Sequence, residues 1–293
     1  MSAEAIGRLP VPEEPGVATR PGSPELPFPV RNALNWFALG AAGANVIMQL
    51  SMLPVGRGVA ESKVDSGRAD LHPVKRLRTT LSYVVLAWHG SDEERAIMRR
   101  ETNRSHRHVR SGPGDDVPYN AFDRDLQLWV AACLYQGTVD VLTLLHGPLG
   151  ERALDDLYEH AARFGTTLQV TQDMWPADRA AFDEYWNRRL RDLRMDDVTR
   201  TYLRRLVDLE SLHPLVRRPM AGFHRMITLG FLPERFREEL GLPWTPRDQK
   251  RFDAHVRRAR LLNRLLPAPL RAFPWNLYLW EARLRIRTGR PIV

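Results

Sequence analysis

An all-α fold is the architecture this sequence predicts, and three observations lead to it. From Val30 onward apolar residues recur at three- and four-residue spacing, the period that lines one face of a helix. No convincing apolar–polar alternation of the strand-and-hairpin kind appears. Proline or glycine punctuates the periodic segments, at Pro54, Gly90, Gly147-Pro148, Trp175-Pro176, Leu232-Pro233 and Pro267 among others. Together they predict a single globular bundle of roughly ten helices without internal repeats.

The elements follow from those junctions. Residues 1–29 hold seven prolines and no periodic pattern, which predicts a disordered lead-in, with the folded domain over 30–293. Helices are expected over 31–51, before Pro54, and over 73–89, between His72-Pro73 and Gly90. The next spans 91–110, ending at Ser111-Gly112-Pro113-Gly114. Asp123 is positioned to cap a helix over 121–146, whose stretch LQLWVAACLY is apolar nearly all round and so belongs at the centre of the bundle. Further helices are expected over 148–164, 176–194, 196–210, 214–230, 244–265 and 267–287.

Composition narrows the function classes. The chain of 293 residues is 43% apolar and 27% charged, ordinary values for a globular protein. Its net charge of +8 comes almost wholly from arginine, with lysine only at Lys63, Lys75 and Lys250. These arginines are interspersed with acids, as in RRLRDLRMDD, so they read as a coding bias and solvated helix faces; no nucleic-acid partner is expected. Cys133 is the only cysteine, which excludes an internal disulfide, a thiolate zinc site or an iron–sulfur cluster within one chain. The N-terminus lacks a basic segment followed by an apolar one, and the expectation is a cytoplasmic protein. The apolar run over 33–55 is broken by Asn35, Asn45, Gln49 and Ser51, and reads as a core helix in place of a membrane span.

The stretch ETNRSHRHVR carries two histidines that invite a metal reading. On a helix, residues two apart project about 160° from one another, so His106 and His108 cannot share an ion there. No HExxH spacing accompanies them. His106 shares a face with Met98, Thr102 and Val109, towards the core; His108 lies with Glu101 and Arg104, towards solvent. A lone inward imidazole is either a satisfied core residue or the ligand of a pocket that needs only one, such as haem. His224, on the apolar-rich GFHRMITLG, is a second inward candidate.

Five stretches in order resemble the MpaB and rubber-oxygenase (latex-clearing protein) catalytic-domain family of helical haem-b proteins. GANVIMQLSMLPVGRGVAESKV is similar to its opening helix through Gln49 and Pro54, with a further helix starting near Gly58. HPVKRLRTTLSYVVLAWHG resembles its Arg-x-x-x-Thr helix through Arg76, Thr80 and Gly90. NRSHRHVRS resembles its His-x-x-Val-x-Gly motif through His106 and Val109, with Ser111 where glycine is usual. YNAFDRDLQLWVAACL is similar through Tyr119, Ala121, Asp123, Trp129 and Val130, with Ala131 where many relatives have histidine. LGFLPERFREELGLPW resembles the Leu-Pro…Arg segment.

The resemblance implies a globin-like haem-binding core with extra helices and an oxygenase acting with dioxygen on an apolar, unsaturated or isoprenoid-like substrate. It assigns iron to His106, and places Arg76 and Thr80 on the opposite face of haem b as cofactor-contacting and catalytic candidates. A lysine that some relatives carry before the threonine is Thr79 here. An acidic base would align loosely with Glu61. Other readings of the residues remain open at this point: a non-catalytic haem sensor or carrier, or a haem-free helical binding protein. Arg76 could pair within its helix, Thr80 could bond back to a carbonyl one turn earlier, and Trp129 could serve packing alone.

Overall fold

The computed structural model describes residues 26–61 and 73–293. The lead-in up to residue 25 and the segment 62–72, with Lys63, lie outside the described residues. Among the described residues the fold is all-α: the sole β-type pairing is an isolated bridge between Arg110 and Asn120. In chain order the helices are α1 Phe28–Asn32, α2 Ala42–Leu50, α3 Leu53–Ala60, α4 Pro73–His89, α5 Asp92–His106, α6 Arg124–His146, α7 Glu151–Ala161 and α8 Arg163–Thr166. They continue as α9 Arg179–Asp192, α10 Asp197–Val207, α11 Pro214–Phe231, α12 Glu234–Leu240, α13 Pro246–Leu265, α14 Ala268–Arg271 and α15 Trp275–Arg287.

The central element is α6, as its all-round apolarity predicts. Asp123 caps it, its carboxylate accepting from the amides of Asp125 and Leu126. Trp129 is fully buried; its indole N–H lies 3.2 and 3.1 Å from the carbonyl oxygens of Met48 and Gln49 on α2, and its ring stacks on Trp186 of α9. The Asn45 amide donates to the Cys133 carbonyl at 2.7 Å, a second tie between α2 and α6. Trp129 is thus a packing residue with its one donor satisfied. α6 is the one described helix long and apolar enough to cross a membrane, yet it is the core helix here.

Several expected helices are divided, each for a local reason. The run expected over 31–51 breaks at Asn35, whose side-chain oxygen accepts from the amides of Phe37 and Ala38 and starts a short 3-10 turn before α2. The helix expected to reach residue 110 stops at His106, because Val109 N–H bonds back to His106 C=O and the chain then turns into the Arg110–Asn120 bridge. The last one is split into α14 and α15 at Pro274. Two short helices, α3 and α12, were not expected at these bounds: α3 starts at Leu53, with Pro54 in its first turn, and not near Gly58. α12 ends at Gly241, whose φ of 60° is the left-handed conformation that favours glycine.

Arginine does much of the capping. At the C-terminal end of α4, Arg163 donates to the carbonyls of Ala87, at 3.0 Å, and Gly90, and His160 Nε2–H donates to Trp88 C=O at 2.8 Å. Arg283 reaches towards His89 C=O and pairs with Glu94 at 2.8 Å. Arg99, Arg200, Arg204 and Arg237 likewise bond backbone carbonyls elsewhere. Much of the basic excess therefore serves helix ends.

Candidate functional site

Three elements converge on His106. It is the last residue of α5, whose start is locked by a capping box between Ser91 and Glu94. The far end of α5 is held by amides: Gln169 donates to Asn103 at 2.7 Å and its backbone N–H to Gln127, and Gln127 donates to Ala121 C=O at 2.8 Å. These bonds tie α5, the 107–121 turn and α6 together beside the imidazole. Tyr119, in that turn, packs on Gly58 of α3 so closely that an added Cβ would lie 3.1 Å from the ring.

The imidazole itself is half-buried, and its Nδ1 is buried with no hydrogen-bond partner. One turn back on the same face, Thr102 is buried and its hydroxyl is also without a partner. Leaving a buried polar atom unpaired costs about 1–3 kcal/mol, so two on one face call for an explanation. Desolvation, and then the Arg76 cation, push the His106 pKa down to about 4. At neutral pH the ring is therefore uncharged, the state in which a nitrogen lone pair can ligate a metal. Phe122 stands edge-on with ring centroids 6.5 Å apart.

Arg76 and Thr80 sit one turn apart on α4, on one face of the helix. Arg76 is exposed to solvent, and desolvation by the protein around it lowers its pKa. Among the described residues Arg76 forms no ion pair and Thr80 no side-chain hydrogen bond; neither of the structural roles open to them is taken up. The fold thus brings Arg76 within electrostatic reach of His106, with Thr80 on the same helix face as Arg76. Tyr202 of α10 interacts electrostatically with Arg76, a neighbour no motif announced.

The remaining candidates separate cleanly. His108 is exposed. His224 has Nδ1 at 2.9 Å from Val207 C=O and Nε2 at 3.5 Å from the Thr228 hydroxyl, the pattern of a satisfied structural residue. Glu61 is exposed and pairs with Arg57, which also binds Asp196. Ala131 is fully buried and adds no ligand from α6. Thr79 is half-buried beside Thr80. Ser111 is accommodated where glycine is usual because its backbone is not in the left-handed region; it accepts a place in the turn through Ser111 N–H to Tyr119 C=O and Tyr119 N–H to Ser111 Oγ. Cys133 is buried, its thiol pKa raised by desolvation, and inert. No group of three or more His, Cys, Asp or Glu side chains gathers for a metal ion among the described residues. A group satisfied by one imidazole, with cations nearby, fits what is present.

Comparison with known proteins gives the family of the chain. Residues 30–261 match the family described as ER-bound oxygenase mpaB/B'/Rubber oxygenase, catalytic domain. Uncharacterized protein Rv2237 of Mycobacterium tuberculosis and Uncharacterized protein Mb2261 of Mycobacterium bovis are each 47% identical over 251 residues, 85% of this chain and 98% of theirs. No solved structure matches significantly. With the five motifs in order and the match extending over most of the chain, this protein belongs to the MpaB and rubber-oxygenase catalytic-domain family, a family of oxygenases.

Proposed function

We propose that the protein is a cytoplasmic haem-b-dependent oxygenase that acts with dioxygen on an apolar, unsaturated or isoprenoid-like substrate. The observation that carries this reading is the neutral imidazole of His106, whose buried Nδ1 has no hydrogen-bond partner, near Arg76, which forms no ion pair among the described residues. Haem b, when bound, supplies the dioxygen chemistry through its iron, with His106 as the protein ligand. The depressed pKa keeps His106 free of a competing proton throughout the neutral range. Arg76 holds a fixed positive charge in surroundings of lowered polarity, where it would favour an anionic group such as a haem propionate. Thr80 offers a hydroxyl donor one turn along. The Phe122 ring, edge-on to the imidazole, is an apolar neighbour in keeping with an apolar ligand.

A Soret band in the purified protein, lost in His106→Ala and kept in His108→Ala, is the expected result. A colourless wild type purified under full haem supply would overturn the assignment. A haem carrier or sensor without turnover is the second reading, favoured by Ala131 and Thr79 at positions where relatives carry histidine or lysine. Oxygen uptake driven by olefinic or isoprenoid compounds separates the two.

A further inference from the structure

The last three helices leave an apolar surface uncovered. The exposed side chains of Leu261 and Leu265 on α13, Leu270 on α14, Phe273 in the following turn, and Leu277 and Trp280 on α15 all face solvent; Leu265 is 74% and Trp280 58% accessible. The two long helices that carry most of them follow one another in the chain and are tied on their inner faces to adjacent residues. Asn263 of α13 accepts from the Trp36 indole at 3.1 Å, and the Trp275 indole of α15 donates to Asn35 C=O at 2.7 Å. The inner face of α15, with Trp275 and Ala282, is buried, so this helix is apolar on both sides. Exposed apolar surface gathered in this way marks a contact site.

Charge identifies the partner. From Ala254 to Trp280 the chain carries Arg257, Arg258, Arg260, Arg264 and Arg271 and no acidic residue. Of the bordering acids, Glu281 is paired with Arg285 at 2.8 Å and with Arg78, while Asp253 accepts from the Gln249 amide at 2.8 Å. Arginines flanking aliphatic and aromatic side chains suit the headgroup layer of an anionic bilayer, where each basic residue is worth roughly fivefold in partitioning. The surface also runs towards the candidate site: Arg78 pairs with Glu281 at 3.5 Å, which sets Leu77 and Val74, exposed and flanking Arg76, next to the α15 stripe. We propose that α13–α15 dock this protein on an anionic lipid surface, peripherally and without a spanning helix.

Flotation with phosphatidylcholine vesicles, with and without phosphatidylglycerol, tests it, at low and high salt. Binding should require phosphatidylglycerol, weaken with salt, and fall about a hundredfold or more in Leu265→Ser/Trp280→Ser, the worth of two apolar side chains moved from water into the bilayer. Because both residues are exposed, the double variant should keep its circular dichroism and melting temperature. Arg257→Gln/Arg264→Gln, which leaves the apolar side chains in place, should lower binding as well. No flotation, equal binding to phosphatidylcholine alone, or an unaffected double variant would overturn the proposal. So would a wild-type dimer that the double variant converts to monomer without any vesicle binding, which would assign the surface to a second copy.

Discussion

The two ends of α4 carry the same kinds of side chain and treat them in opposite ways. At the C-terminal end His160, Arg163 and Arg283 all bond carbonyls of the last turn, and Gly90 lies so close to Leu86 C=O that a Cβ would sit 2.3 Å from it. Every cation there has work in the fold. Around the N-terminal half, Arg76 has no ion pair among the described residues, and facing it the His106 Nδ1 and Thr102 hydroxyl are buried and unpaired. Burial and depressed pKa do not distinguish these regions, since His89, His160 and His106 are all pushed down to about 4, with desolvation first among the causes. Partnering does. A polar group that the fold buries and leaves unsatisfied points to a ligand more directly than one that is merely buried.

Substitutions at the two ends should therefore behave differently. Arg163→Ala removes two charge-assisted bonds to α4 carbonyls and is expected to cost about 3 kcal/mol, seen as a melting temperature several degrees lower, with haem content per folded protein unchanged. Arg76→Ala should do the reverse, leaving the melting temperature of the haem-free protein within about a degree while weakening haem retention. An Arg76 variant as destabilising as the Arg163 one would erase the contrast.

Acid provides the next test. The three histidines have folded-state pKa values near 4 against an ordinary value of about 6.5. The unfolded chain then binds more protons between these limits, so the stability they contribute is complete above about pH 6.5 and is lost as pH falls through 4. Melting temperature should decline over that window, and His160→Gln should flatten the decline. Haem ligation by His106 should survive down to about pH 4; detachment near pH 6.5 would mean that the imidazole is not protected from protonation.

The smallest effect is expected at Thr102→Val. With no partner to lose, the change should leave stability within about 1 kcal/mol or raise it slightly, whereas removing a bonded buried hydroxyl would cost more. A larger loss by denaturant titration would show that the hydroxyl is satisfied in solution, weakening the case that this face awaits a ligand.

Much of the architecture is legible because its signals are local. Periodicity places α4, α6, α11 and α13 to within a few residues, Asp123 announces its own cap, and the i to i+2 geometry separates His106 from His108. Short elements escape this reading: α3 and α12 are eight and seven residues long, less than the span over which a period becomes evident. Asn35 divides a continuous apolar run because its side chain accepts from the amides two and three residues on, a choice decided by packing as much as by residue type.

The family motif and the helical wheel both selected His106 from sequence, since a motif records spacing along the chain and a wheel records direction around one helix. Neither records what meets that helix from elsewhere. Only the tertiary structure decided that Arg76 would lie near His106, that Tyr202 would adjoin Arg76, that His224 would find two partners while His106 found none, and that the apolar faces of α13–α15 would remain uncovered. Hydrogen-bond satisfaction and exposure are properties of neighbours distant in sequence, and no local pattern contains them.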